Sequence, residues 1–177
     1  AHIAIDLPGI GVGDERRFAA STLNTILGGG MSSRLFQEVR EKRGLVYAIY
    51  SYPSSFQGAG ETTIYAGTRP DNITEILSVV KQEIAKLRDE GVTEDELKRT
   101  KDYLIGRYTL SLESSQSRMV SLGRQETVGS EILSFEETVQ RYRDLTVDDL
   151  AAVAQDLYAD EPLVAVISPY EDAELSE

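Results

Sequence analysis

The 177-residue sequence has no cysteine, no tryptophan and a single histidine, His2. Without cysteine there is no disulfide, zinc ribbon, iron–sulfur cluster or thiol nucleophile. A hydrolytic zinc normally takes three or four ligands from His, Cys and carboxylates, so one imidazole cannot anchor a site of the usual His-rich kind. No metal site is expected in this chain. A Ser-His-Asp triad would depend on His2, and no Gly-x-Ser-x-Gly elbow accompanies it. Basic residues are also scarce: 18 Lys and Arg against 30 Asp and Glu give a formal net charge of −12. They sit among acidic neighbours and form no patch for phosphate backbones, which argues against nucleic acid as a partner. No run of 18 apolar residues occurs, so no segment reads as a membrane helix and no membrane partner is expected.

What remains is ordinary globular composition, 41% hydrophobic and 27% charged. A chain of this length buries about 70% of its unfolded surface, enough for one core, so residues 1–177 are expected to form a single domain. The sequence opens on Ala1 inside an extended stretch, which suggests a fragment or a processed chain. No signal-like start is visible, and a cytoplasmic location is the expectation.

Residues 2–7 suit a strand stopped by Pro8-Gly9. Asp14 is a candidate N-cap for a helix carrying Phe18, Leu23, Ile26 and Leu27, ended by Gly28-Gly29-Gly30. Ser33 can cap a short helix with Leu35, Phe36 and Val39 inward, and Gly44 follows its basic end. Residues 45–52 read as a strand, 53–60 as a loop and 61–67 as the hairpin partner. Ile73, Ile76, Leu77, Val80, Ile84 and Leu87 form one helical stripe. Thr93 and Glu96 make a capping box for a helix carrying Leu97, Leu104 and Tyr108. Shorter helices are expected near 117–128, 135–143 and 147–158, the last capped by Thr146. Residues 163–167 suit a buried strand, and 171–177 a frayed acidic end. The order of elements does not alternate as a doubly wound sheet requires. The expected fold class is α+β, a two-layer domain with a mostly antiparallel sheet of about four strands and helices on one face.

Three stretches invite functional readings. The carboxylates Asp89, Glu90, Glu94, Asp95 and Glu96 straddle a helix junction and read as a solvated turn. Asn72-Ile73-Thr74 matches the glycosylation triplet, which chance supplies easily at this length. Residues 28–33 look like a glycine-rich anion loop, but they follow a helix and lack the Gly-Lys-Ser/Thr ending of a P-loop. As an anion signal this is weak, and a helix–helix corner is the favoured reading.

Residues 27–52 stand apart. The run Leu-Gly-Gly-Gly-Met-Ser-Ser-Arg-Leu-Phe-Gln-Glu-Val-Arg-Glu-Lys-Arg-Gly-Leu-Val-Tyr-Ala-Ile-Tyr-Ser-Tyr resembles a signature of the pitrilysin/insulinase-type zinc peptidases, in the bacterial branch related to mitochondrial processing peptidase. Tyr65-Ala66-Gly67-Thr68, Leu110 to Ser114 and residues 131–150 extend the resemblance to essentially the whole chain.

The resemblance implies one half of a two-half clamshell peptidase, the half without the zinc-binding His-x-x-Glu-His helix. It implies an arginine and a tyrosine seven positions apart that complete the active site, which Arg40 and Tyr47 match. The implied cofactor is zinc in the other half, and the implied partners are that half, in the same or a separate chain, and peptide substrates, with a dimer allowed for. Peptide hydrolysis builds negative charge on a carbonyl oxygen, and a phenol O–H or guanidinium aimed there stabilises it. Arg40 also suits a surface cation at a helix C-terminus and Tyr47 a half-buried strand tyrosine, and Arg34 and Arg43 compete for the arginine role. Gly28, Gly29 and Gly30 are expected to let a substrate backbone approach. The alternative from another class is a non-catalytic interaction or assembly subunit of the same fold.

Overall fold

In the first strand, β1 (His2–Gly9), alternate residues turn the same way, so Ile3, Ile5 and Leu7 face inward and are at most 2% exposed. Burying each such side chain contributes about 1.5–3 kcal/mol. The computed structural model describes residues 1–169; the acidic stretch 171–177 lies outside them. After β1 come α1 (Arg17–Gly28), a π-helix (Phe36–Glu41), β2 (Val46–Phe56), β3 (Ala59–Thr68) and a 3-10 turn (Pro70–Asn72). Then follow α2 (Ile73–Asp89), α3 (Glu94–Ser111), α4 (Ser115–Val128), α5 (Phe135–Asp144), α6 (Val147–Leu157) and β4 (Leu163–Ile167).

The four strands form one sheet in the order β2-β3-β1-β4, every neighbouring pair antiparallel. Ile5 sits opposite Ile64 of β3 on one side and Val164 of β4 on the other. The core lies between this inward face and the helices: Leu23 and Leu27 from α1, Ile76 and Val80 from α2, Leu150 and Val153 from α6. The fold is α+β with helices packed on the sheet, as the order of elements implied. The α2 stripe buries Ile73, Ile76, Val80, Ile84 and Leu87, with Leu77 half-buried. The capping box of Thr93 and Glu96 is present, and Thr146 caps α6 with Asp149 as its partner.

Four local expectations are corrected. Asp14 does not cap α1: the cap position is Arg16, and the Asp14 carboxylate instead accepts the Arg16 backbone N–H at 2.8 Å and pairs with its guanidinium. The stretch 53–60 is not a loop. β2 runs through Pro53 to Phe56, and the turn is Gln57-Gly58, with Gly58 at φ 81°. β2 is an edge strand, where a residue without an N–H is tolerated, so proline does not end it. β4 is not buried; it is the opposite edge, and Leu163 and Ile167 are 71% and 76% exposed. Apolarity alone does not distinguish an interior strand from an edge whose outer face meets water. The segment after Ser33 is a π-helix, not an ordinary short helix.

Candidate functional site

The π-helix begins where Ser33, itself buried, accepts the Phe36 N–H on its Oγ at 3.4 Å. Leu35 and Val39 are fully buried and fix the inward side. The Lys42 N–H reaches back five residues to the Gln37 carbonyl at 3.0 Å, the wide turn that defines this helix type and that recurs at functional sites. Arg40 stands on the outward side, its guanidinium 4.8 Å from the centroid of the Phe36 ring. Cation–π contact of this kind holds the group without neutralising it.

Gly44, at φ 64°, then reverses the chain in a conformation side-chain-bearing residues rarely adopt. The carbonyl of Leu45 is held by the Thr68 hydroxyl and by the Asn72 side-chain amide at 2.9 Å. These two donors, from the end of β3 and the following turn, fix the route from Arg40 into β2. The Asn72 amide of the glycosylation-like triplet is thus engaged inside the fold.

Tyr47 is placed by a β-bulge. Val46 pairs with Thr68 and Ala48 with Gly67, leaving Tyr47 as the extra residue with no partner across the ladder. Bulges re-aim side chains, and Tyr47 is 74% exposed, not half-buried in the strand. The structure therefore puts both Arg40 and Tyr47 into solvent, one before and one after the Gly44 reversal.

The competing arginines are occupied. Arg34 holds Glu96 through Nε–Oε1 at 2.8 Å and Nη2–Oε2 at 2.9 Å, and also donates to the Gly91 carbonyl at 2.9 Å. Burial pushes the Glu96 carboxyl up, but the Arg34 bonds and the Thr93 N–H outweigh it and hold it at about 2. Arg43 donates to the Glu38 carboxylate and carbonyl, both at 2.8 Å, and Lys42 pairs with the same carboxylate. Hydrogen bonds from Lys42 and Arg43 hold Glu38 below the usual carboxylate range. Among the described residues, no carboxylate forms an ion pair with Arg40.

The three glycines play different parts. A Cβ on Gly28 would lie 2.5 Å from Ser51 Oγ and 2.8 Å from its backbone nitrogen, so Gly28 is where α1 presses onto β2. A Cβ on Gly29 would meet the Thr25 backbone at 2.6 Å. Gly30 has open space around it and lines a cleft of 590 Å³ with Met31, Ser32, Gln37 and Tyr103. Sequence reasoning missed Thr68 and Asn72. Their signal was faint, since both are common turn residues and only the fold brings them to Leu45.

The residues present do not fit a hydrolytic zinc. His2 Nδ1 is 2.7 Å from the Tyr65 hydroxyl, and among the described residues no cluster of three or more His, Cys, Asp or Glu is placed to hold a metal ion.

Residues 1–104 match the family described as the peptidase M16 inactive domain. An uncharacterized zinc protease of Streptomyces coelicolor is 42% identical over 99% of this chain, which spans 38% of that relative's length. One from Bacillus subtilis is 36% identical over 96% of the chain and 41% of its own length. Among solved structures, a peptidase M16 inactive domain from Pseudomonas fluorescens superposes with a TM-score of 0.79 at 28% identity, covering 96% of this chain and 42% of that one.

Proposed function

Because the chain belongs to the peptidase M16 inactive-domain family, we propose that it acts as one domain that completes the active site of a zinc endopeptidase, forming the second wall of an enclosed peptide chamber. Its curated relatives are named zinc proteases and are more than twice its length, room enough for a metal-bearing half. A companion half carrying His-x-x-Glu-His would hold the zinc, which when bound would supply Lewis-acid polarisation of the peptide bond.

The observation that carries the reading is the state of Arg40. Arg34 and Arg43 are tied to carboxylates, whereas Arg40 stands exposed with no carboxylate partner among the described residues, seven positions before an exposed tyrosine re-aimed by a bulge. As the scissile carbonyl turns tetrahedral, its oxygen gains negative charge. The Tyr47 O–H and the Arg40 N–H groups are donors for that oxygen, and an interaction that strengthens with the developing charge raises turnover more than affinity. Loss of one such donor costs about 3 kcal/mol, or roughly a hundredfold in kcat. The backbone at Gly30, with no side chain and free space beside it, is assigned to contact with the substrate main chain; Gly28 and Gly29 shape the corner that presents it.

The test is reconstitution. The 177-residue chain alone should cleave no peptide, and the His-x-x-Glu-His half alone should be much less active than the two combined. Peptide turnover by this chain alone would refute the division of labour. A companion half fully active without it would remove its role at the site.

A further inference from the structure

The helices cover one face of the sheet. On the other, the pairing register sets Tyr52, Thr63, Asp6 and Leu163 in one cross-strand row, and Tyr50, Tyr65, Ala4 and Ala165 in the next. Gly67, His2 and Ile167 follow in the third. The tyrosines form a continuous aromatic strip. The ring centroids of Tyr50 and Tyr65 are 5.2 Å apart, those of Tyr50 and Tyr52 6.0 Å, and His2 joins Tyr65 at 6.0 Å. The Tyr65 hydroxyl lies 3.2 Å from where a Cβ on Gly67 would stand, so the missing side chain lets the phenol lie along the strand. Tyr50 and Tyr52 are 46% and 45% exposed.

Within the four strands, charge on this face has one sign, and exposed Arg69 follows just beyond the end of β3. The chain has 18 lysines and arginines, yet none projects from this face of the four strands. Its charged residues are Asp6, whose carboxylate accepts the Thr63 hydroxyl at 2.6 Å, and exposed Glu61. Diagonal neighbours on adjoining strands lie roughly 7–8 Å apart, so Asp6 is one arginine length from Tyr65. Aromatic faces carry negative potential and attract cations, most of all where a carboxylate stands beside them. An apolar partner laid over the same surface would bury Asp6 without a counter-charge, which is unfavourable.

We infer that this sheet face docks an extended basic peptide, with a lysine or arginine side chain lying against Tyr50 and Tyr65 and Asp6 as its counter-ion. The inference rests on the peptide-chamber reading and gives its substrate class. Tyr50 is three residues along β2 from Tyr47, so a peptide held here runs beside the proposed carbonyl-binding pair.

The test is a titration of the 177-residue chain, carrying ¹³C-labelled tyrosine, with the blocked peptide Ac-Ser-Thr-Arg-Thr-Arg-Thr-Ser-NH2. A second peptide has citrulline in place of arginine, the same shape without the charge. The arginine peptide should shift the Tyr50 and Tyr65 ring resonances and bind about tenfold or more tighter than the citrulline peptide. Asp6→Asn and Tyr65→Leu should each weaken it about fivefold or more, and Tyr65→Phe, which keeps the ring, should largely preserve it. Equal affinity for the two peptides, or shifts that spare Tyr50 and Tyr65, would overturn the inference, and that comparison needs no variant. Binding is read without cleavage, so a failure here leaves the Arg40 and Tyr47 assignment standing, and a failure of that assignment leaves this result standing.

Discussion

The Arg34 guanidinium grips the Glu96 carboxylate with two hydrogen bonds, 2.8 and 2.9 Å long, and ties the start of α3 to the segment that opens the π-helix. The same carboxylate accepts the Thr93 N–H at 2.9 Å, so one acidic side chain serves both a helix cap and an ion pair. The pair is about one-fifth exposed on each side, enough shielding for it to matter more than a surface ion pair.

Its consequence is a pH dependence. Glu96 is held at about 2, below the ordinary value of 4.5, so the folded state binds its proton less readily than the unfolded state. The stability it contributes is present above pH 4.5 and is lost as pH falls toward 2. In Glu96→Gln that contribution is absent at neutral pH, and the variant should be about 2–3 kcal/mol less stable. Denaturant melts of both proteins at pH 7 and pH 3 should show the gap narrowing at the lower value. A gap that stays constant would mean that Glu96 is not the group responsible.

The glycine corner separates packing from access. Gly28→Ala places a methyl against the Ser51 backbone and side chain and should cost about 1–3 kcal/mol. Gly30→Ala meets nothing within 4 Å and should change stability by less than about 0.5 kcal/mol. Thermal melts of the two variants side by side decide this, and equal losses would contradict it.

The Leu45 carbonyl offers a third check. Thr68→Val and Asn72→Ala each remove one of its donors and should each cost about 1 kcal/mol. In a protein containing both halves they should also lower kcat with little change in KM, because they loosen the approach to Tyr47 without touching substrate. Variants that lose stability while keeping full turnover would show that these donors serve the fold alone.

Much of this was legible because local rules and tertiary packing agree. The apolar stripe from Ile73 to Leu87 has one low-energy arrangement, against a sheet, and Thr93 with Glu96 states a helix start in four residues. The pattern failed where tertiary position decides. Pro53 ends a strand in the interior of a sheet but not at an edge, and Leu163 to Ile167 reads alike buried or half-covered. The Tyr47 bulge could not be read in advance, because a bulge is a mismatch between two strands and the sequence shows one at a time. The same limit hid the distinction between Arg34, Arg40 and Arg43. Their partners lie at Glu96, 62 residues away, and at Glu38, five residues away, and only the folded chain shows which of the three has no carboxylate partner among the described residues.

The most direct measurement is steady-state peptide hydrolysis by a protein containing both halves, comparing wild type with Tyr47→Phe and Arg40→Ala. The account predicts that each substitution lowers kcat by about a hundredfold, with the smaller effect on KM and with zinc content unchanged. Unaltered kcat in both variants would contradict it.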